Sequence, residues 1–483
     1  MTGPAAISDL LAGMAAVDGA APGTVTGLTL DSRRVRPGEL FLACPGTRLD
    51  GREFIAEAVE RGAAAVAYEP DGFEYRGAVP GVPVPGLALR ASEIAARFYG
   101  RPGDGLFVIG VTGTNGKTSC VHFLAQSLER LGGRPRMIGT LGSGRVGDPD
   151  AGGLTTPGPV DLQRLLRRFA DDGATHVIME VSSHALNQGR VSAVAFDAAV
   201  FTNLTRDHLD YHADIDDYAN AKKSLFDYPS LRFAVVNVDD AVGRQIHEQA
   251  AVPVIGFGDQ GAVRASRVEV GEGGLGMRID HPRATLDVSA PLVGRINVAN
   301  VLAVAAVLLE MGFDSADVEN ALNRLSPVPG RMELFRSLRG GPTAVVDYAH
   351  TPDALERALQ SVREHCREAL WCVFGCGGDR DRGKRPEMGR IAEKWANRVV
   401  VTNDNPRSES PAAIAAEIVA GMSGEPRVVL DRRRAITTAL REARAGDWVL
   451  VAGKGHETCQ IVGDKVAPFD DRQVVSDCLE KAA

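Results

Sequence analysis

The sequence predicts an α/β protein of three domains: a central doubly wound parallel sheet, a C-terminal Rossmann-like α/β domain, and a smaller N-terminal α/β domain. Three observations carry this. The chain has 483 residues, too many for one core and suited to about three domains. Short apolar, β-branched runs alternate with helix-like stretches through its middle and end, the pattern of parallel sheets. Each of those runs leads directly into Gly or polar residues, and in such sheets ligands sit beyond the carboxyl ends of the strands.

The first block, residues 1–103, opens on "TGLTLDSRRVRPGELFLAC", short strands around a Pro-Gly turn at 37–38. "EFIAEAVERGAAAVAYE" reads as an amphipathic helix, a Gly break and a strand; "ASEIAARFYGRPGDG" reads as a helix ending in a Gly/Pro connector near Gly103. The second block, 104–327, starts with the strand "LFVIGVTG", a Gly-rich loop and the helix "KTSCVHFLAQSLERLGG", which makes this domain P-loop-type. "THVIMEVSS" and "FDAAVFTNL" are further strands with polar ends. The third block, 328–483, follows a Pro-rich joint at 326–334 and carries four strands: "TAVVDYAH", "ALWCVFGCGG", "RVVVTNDNP" and "DWVLVAGKG".

Composition narrows the function classes. The net charge of −8 argues against a nucleic-acid partner, so an anionic ligand must be held by local basic groups. Seven cysteines occur without a CxxC pair; Cys372 and Cys376 are nearest and lack a second pair to complete a zinc site. Reduced structural thiols of a cytosolic protein are expected. The N-terminal stretch lacks a basic region and Asp9 interrupts its apolar run, so it does not read as a signal peptide. In "NVANVLAVAAVLLEMGF" at 297–313, the continuous apolar part Val301–Leu309 is too short to span a bilayer and reads as a buried helix. The expectation is a cytoplasmic monomer with no membrane partner.

The loop "GVTGTNGKTS" at 110–119 departs from the usual phosphate-loop spelling, because Val111 stands where the first Gly belongs and the glycine comes at 113. Its context is nonetheless right for phosphate: backbone N–H groups at a helix start, Lys117 to neutralise phosphate charge, and the Thr118 hydroxyl for Mg²⁺. Glu180, Asn203, Asp207, His208 and Asp210 follow later strands, and the carboxylates and imidazole among them suit further Mg²⁺ ligands. Taken by itself, His208 equally suits a hydrogen-bonded loop histidine, and Asp207 and Asp210 equally suit turn caps. "DYANAKKSLF" at 217–226 reads as a plain helix with a solvated lysine pair. In the last block, the Asn-Pro step of "DNPRSE" at 404–409 presents Arg407 on a fixed backbone. Arg is suited to bidentate carboxylate recognition. Gly-rich loops add Arg385, Lys454, His456 and Glu457.

Together these pieces resemble the Mur ligase family, ATP-dependent amide-forming enzymes of peptidoglycan assembly. "GTNGKT", "EVSSH", "NLTRDHLDYH", "AKKSLF", "GRINVANVLA", "GRME", "DYAHTP", "FGCGGDRDRGKRP" and "DNPRSE" stand in family order from about residue 28 to 470. The resemblance implies that Gly113, Thr114, Asn115, Gly116, Lys117 and Thr118 bind ATP phosphates, with Asn300, Arg331 and Asp347 around the rest of the nucleotide. It implies two Mg²⁺, with Thr118 on one and Glu180, His208 and a CO₂-derived carbamate on Lys222 at the other. Lys117, Glu180, His208 and Lys222 would be the catalytic group. Leu30, Ser32, Thr47, Arg48 and Leu49 would hold the uridine nucleotide, although Thr47-Arg48 departs from the His-Gln often found there. Thr155, Thr156, Ser182, Gln188 and Arg190 would hold the muramoyl dipeptide. Arg385, Asp404, Asn405, Arg407, Gly453 and Glu457 would hold meso-diaminopimelate, the amino acid that a "DNPR" tetrad of this type selects. The implied reaction joins that amine to the D-Glu γ-carboxylate of UDP-MurNAc-L-Ala-D-Glu through an acyl phosphate. A lysine-adding ligase, a folylpolyglutamate synthase and a non-catalytic nucleotide-binding regulator are the competing readings. Arg407 argues against the first, "LDSRRV" and "DNPR" against the second, and intact Lys117, Glu180, His208 and Lys222 against the third.

Overall fold

The computed structural model describes residues 3–14, 23–46, 49–150, 152–208, 211–271, 274–337 and 340–481. The chain forms two compact units, Met1–Gly256 and Phe257–Ala483.

The first unit begins with a four-stranded sheet, Gly27–Thr29, Glu39–Ala43, Ala65–Tyr68 and Gly81–Pro83, in which neighbours pair parallel. Helix Leu87–Phe98 buries Leu87, Ala91, Ile94, Ala95 and Phe98, an i, i+3/i+4 apolar stripe. An eight-stranded sheet follows, in which strand Phe107–Thr112 lies between His176–Glu180 and Ala198–Phe201, parallel to both. The chain leaves Phe107–Thr112 to build one side of the sheet, then returns to build the other. Its carboxyl end is therefore the point where a doubly wound sheet opens a ligand crevice. The strands are buried on both faces, which is why they read as continuous apolar runs rather than alternating ones. Phe169, Phe196, Phe201 and Phe226 fill one core of this unit, each burial contributing about 1.5–3 kcal/mol.

In the second unit, the antiparallel strands Arg264–Gly271, Gly274–His281 and Ala284–Ala290 precede helix Ile296–Glu310. Every residue from Asn300 to Leu309 in that helix is buried, as the sequence implied. Its six-stranded sheet runs Glu333–Arg336, Thr343–Asp347, Trp448–Ala452, Leu370–Phe374, Arg398–Val401, Arg427–Val428, all parallel except the first pair. The four expected strands are all present. A terminal hairpin, Cys459–Val462 with Lys465–Pro468, and helix Asp471–Lys481 complete the described chain.

Candidate functional site

In the first unit the Gly-rich loop leaves Phe107–Thr112 and closes on helix Lys117–Arg130. Gly113 has φ 146°, and a Cβ there would collide with Thr202 Oγ1. Only glycine fits this approach, which explains why the displaced glycine stands at 113. Asn115 is held from the neighbouring strand end. Asn203 Oδ1 accepts from its N–H at 3.0 Å, and its carbonyl accepts from Asn203 Nδ2 at 3.1 Å and Thr202 Oγ1 at 2.6 Å. The Thr114 hydroxyl lies 3.1 Å from Tyr218 Oη. Lys117 Nζ folds back over the loop and donates to the carbonyls of Gly113 at 2.8 Å and Thr114 at 2.9 Å.

Beside the loop, Glu180 is 1% exposed. A buried carboxylate needs donors, and three reach it. Thr118 Oγ1 and the Thr140 N–H donate to Oε1 at 3.0 and 2.9 Å, and the Thr140 hydroxyl donates to Oε2 at 3.2 Å. Hydroxyl and carboxylate together are the hard oxygen donors that Mg²⁺ prefers, so the residues present fit that ion. Among the described residues no group of three or more His, Cys, Asp and Glu side chains comes together for a metal. His208 stands in a left-handed turn at φ 55°, its ring 4.9 Å from His184 and 6.0 Å from Tyr218 between centroids. Asp207 Oδ1 accepts from the His208 N–H at 2.9 Å, a turn contact of the expected kind. Asp210 lies outside the described residues.

Lys222 corrects the reading of a solvated lysine pair. Its side chain is buried, 1% exposed. Its Nζ donates to the Gly113 carbonyl at 2.9 Å and lies 4.3 Å from the Tyr218 ring centroid. That carbonyl therefore receives both Lys117 and Lys222. Burial, and then the Lys117 charge, push the Lys222 amine well below its ordinary 10.5, with Asp207 opposing. Lys223 points the other way and donates to Gln245 Oε1 at 3.3 Å. The signal was present in the sequence: Tyr218, Ala219 and Lys222 share the buried face of helix Ile215–Lys223.

Thr155, Thr156, Ser182, Gln188 and Arg190 form one network around Glu180. The Thr155 hydroxyl meets that of Thr140 at 3.1 Å, and the Thr156 hydroxyl donates to the Glu180 carbonyl at 2.8 Å. The Ser182 N–H donates to Thr156 Oγ1 at 3.0 Å, and Arg190 donates to the Thr156 carbonyl at 3.2 Å and to Gln188 Oε1 at 2.8 Å. Sequence reasoning missed Thr140 and Tyr218, and also His212. The His212 Nε2 lies 3.0 Å from Ser183 Oγ and its Nδ1 lies 3.1 Å from Asp217 Oδ2. That buried imidazole ties the turn after Glu180 to the helix bearing Lys222. In the first block, Leu30 is half-buried and Leu49 exposed, and the Ser32 hydroxyl donates to Glu57 Oε2 at 2.6 Å. Thr47 and Arg48 lie outside the described residues.

In the second unit Asp347 ends its strand and accepts from the N–H groups of Met332 and Ala349, each at 2.8 Å. Burial raises its carboxyl, against the pull of Arg331. The Arg331 guanidinium covers the Tyr348 ring at 4.2 Å, and His456 packs against the same ring at 5.0 Å. Burial, then the Arg331 and Arg472 charges, push the His456 imidazole down to about 3. A proton-resolved NMR titration should therefore show His456 neutral from pH 8 to 5; a midpoint near the ordinary 6.5 would mean a solvated ring. Asn300 donates to Asn297 Oδ1 at 3.1 Å.

The remaining residues converge at adjacent strand ends. Asn405 Nδ2 donates to Glu457 Oε2 at 2.8 Å, and buried Lys454 bridges Asn405 Oδ1 at 3.0 Å and Glu457 Oε2 at 2.8 Å. Gly453 has φ 118°, and a Cβ there would sit 2.7 Å from Asp404 Oδ2. Arg407 Nη1 donates to the Gly378 carbonyl at 2.7 Å. Arg385 is fully buried and occupied by Glu409 at 2.8 Å and Glu417 at 2.7 Å. The Arg385 guanidinium draws Glu409 down to about 2. Beneath them, Arg432 pairs with Asp471 at 2.6 Å and donates to the Asn403 and Ala452 carbonyls at 3.0 and 2.9 Å. No sequence signal marked this buried pair.

Comparison with known proteins agrees with this arrangement. Three family models match: Mur ligase family, catalytic domain over residues 24–99; Mur ligase middle domain over 111–308; and Mur ligase, glutamate ligase domain over 330–455. A UDP-N-acetylmuramoyl-L-alanyl-D-glutamate–2,6-diaminopimelate ligase of Coxiella burnetii is 47% identical over 462 residues, covering 92% of this chain and 94% of that one. The ligase of the same name from Ectopseudomonas mendocina is 49% identical over 454 residues, 92% and 93% of the two chains. A solved structure of a ligase with that name is 34% identical, covers 99% of both chains and superimposes with a TM-score of 0.72. Likeness of this extent runs through both units, through the loop that closes on Glu180 and through the loops that meet at Asn405, and it places the chain in the Mur ligase family.

Proposed function

We propose that the protein is an ATP-dependent ligase that adds meso-diaminopimelate to UDP-MurNAc-L-Ala-D-Glu. The observation that carries this reading is the phosphate loop packed against Glu180, with two lysines on one loop carbonyl. The identity of 47% over 92% of the chain to a ligase named for that reaction supports it. An oxygen of the D-Glu γ-carboxylate attacks the γ-phosphorus of ATP, and ADP leaves. The amine of diaminopimelate then attacks the acyl phosphate carbonyl, the C–O bond to phosphate breaks, and the amine loses its proton. The products are an amide, ADP and phosphate.

The loop Gly113–Thr118 seats the phosphates, and Lys117, now spent on loop carbonyls, turns to phosphate charge when the nucleotide binds. Thr118, Glu180, His208 and Lys222 would hold two Mg²⁺, which supply charge stabilisation to the phosphoryl group when bound. Burial and the Lys117 charge favour the neutral Lys222 amine that CO₂ requires, and its carbamate would add a second carboxylate beside Glu180. Asn300, Arg331 and Asp347 serve the nucleotide. Thr155, Thr156, Ser182, Gln188 and Arg190 orient the dipeptide, and Leu30, Ser32 and Leu49 the uridine end. Asp404, Asn405, Arg407, Gly453 and Glu457 receive the amino acid, whose carboxylate meets Arg407; Arg385 acts there through Glu409. The domain division at 103 and 327 is part of this reading, and both positions fall between family-model matches. The reading includes work in the cytoplasm as a monomer; among the described residues no helix is long and apolar enough to cross a membrane.

Phosphate release with ATP, UDP-MurNAc-dipeptide and either meso-diaminopimelate or L-lysine tests the reading. No turnover with either amine refutes it; turnover with lysine alone refutes the specificity. Arg407→Ala should raise the KM for diaminopimelate about a hundredfold, the worth of a lost charge-assisted pair, with the KM for ATP nearly unchanged. Equal loss of both would make Arg407 structural.

A further inference from the structure

The hairpin Cys459–Val462/Lys465–Pro468 is mostly exposed, with Val462 and Val466 facing solvent. A two-stranded hairpin with no core of its own is marginal in water, so its anchoring points show what it serves. Four hydrogen bonds bind its first strand and turn to the 404–407 turn. Gln460 Nε2 donates to the Asp404 carbonyl at 2.7 Å, and the Ile461 N–H donates to Asn405 Oδ1 at 3.0 Å. The Arg407 N–H donates to the Ile461 carbonyl at 3.1 Å, and the Gly463 N–H donates to the Arg407 carbonyl at 2.7 Å. Arg407 itself has φ 50°. A residue with a Cβ disfavours that left-handed conformation, and such strain persists only where the surroundings over-determine it. The two backbone bonds grip Arg407 on either side of its Cα, while Gln460 and Asn405 fix the residues that lead into it. In the absence of this strand, the turn could relax to negative φ and swing the guanidinium away from Gly378.

We propose that this hairpin sets the choice of amino acid by holding Arg407 in its left-handed turn, with Gln460 as a positioning residue. The inference rests on the reading of the 404–407 turn given above. Gln460 acts through Asp404 and touches no substrate. Two of the four bonds use side chains, and the Gln460 amide is the one that a substitution removes without altering Asn405, which also binds Lys454 and Glu457.

The test is initial-rate phosphate release by the full chain carrying Gln460→Leu, with meso-diaminopimelate and L-lysine varied separately. The KM for diaminopimelate should rise about tenfold, the worth of one lost hydrogen bond, and the preference for it over lysine should fall by a similar factor. The KM values for ATP and the dipeptide should hold, as should the thermal midpoint. Gln460→Glu keeps the length but loses the donor, and should behave like the leucine variant. An unchanged KM for diaminopimelate overturns the inference. So does an equal rise in all three KM values with a lowered thermal midpoint, which would make the hairpin a general stabiliser. If the unaltered protein shows no diaminopimelate-dependent turnover, the reading of the turn falls and this inference with it; normal turnover with unaffected variants removes the inference alone.

Discussion

Lys222→Met is expected to abolish turnover while leaving the protein as stable as before, or more so. The lysine is fully enclosed and sits on the same carbonyl as Lys117. Enclosure and that neighbour oppose its charge. Methionine has a similar volume and no charge to desolvate, so the fold loses one hydrogen bond and is relieved of a buried amine. On the proposed reading catalysis loses the lysine that would carry the carbamate, and the rate should fall about a thousandfold, on the scale of other lost electrostatic groups. Urea unfolding and phosphate release on one preparation check both halves. A variant that turns over within a few fold of the unaltered protein would remove Lys222 from the mechanism. The pH dependence follows from the sign of the shift. The folded protein keeps this amine neutral at pH values where the unfolded chain protonates it, so folded stability rises as pH climbs from the depressed value towards 10.5. Lys222→Met should flatten that rise. Removing dissolved CO₂ and bicarbonate should lower the activity of the unaltered protein reversibly.

The second large effect is one of stability. Asp471→Asn leaves the Arg432 guanidinium, fully buried, without its counter-charge. Stranding a buried charge costs about 3–5 kcal/mol, enough to unfold much of a marginal domain. Urea unfolding should show the second unit melting early. The double variant Arg432→Met/Asp471→Leu should recover much of the loss, because two apolar side chains replace the pair without an orphaned charge. If Asp471→Asn unfolds like the unaltered protein, water reaches Arg432 and the pair is not enclosed as described.

Much of this was legible in the sequence because strand ends carry it. Runs such as "FVIGVT" and "WVLVA" are apolar throughout, so they declare buried parallel strands, and the residues after them declare the site. Lys117 and Thr118 followed from the loop spelling, and Arg407 from the Asn-Pro step. What stayed hidden depends on partners distant in sequence. Lys222 looks solvated until Tyr218 is seen against it and Gly113 beyond it. Asn203 looks like one more polar strand end until it is found bracing Asn115. The resemblance pointed Arg385 at the substrate, yet its guanidinium is taken by Glu409 and Glu417, two carboxylates that nothing local marks as its partners.

The Arg432–Asp471 pair has a consequence for the order in which the protein comes into being. Asp471 opens the last described helix, and its partner also holds the carbonyls of Asn403 and Ala452, the residues just before the amino-acid turn and its Gly-rich neighbour. A nascent chain still lacking Asp471 has made every strand of the second sheet but lacks the carboxylate that pairs with Arg432. The 404–407 turn and the Gly-rich loop after Ala452 are therefore braced only once the chain has been made through Asp471, after every strand of the second sheet.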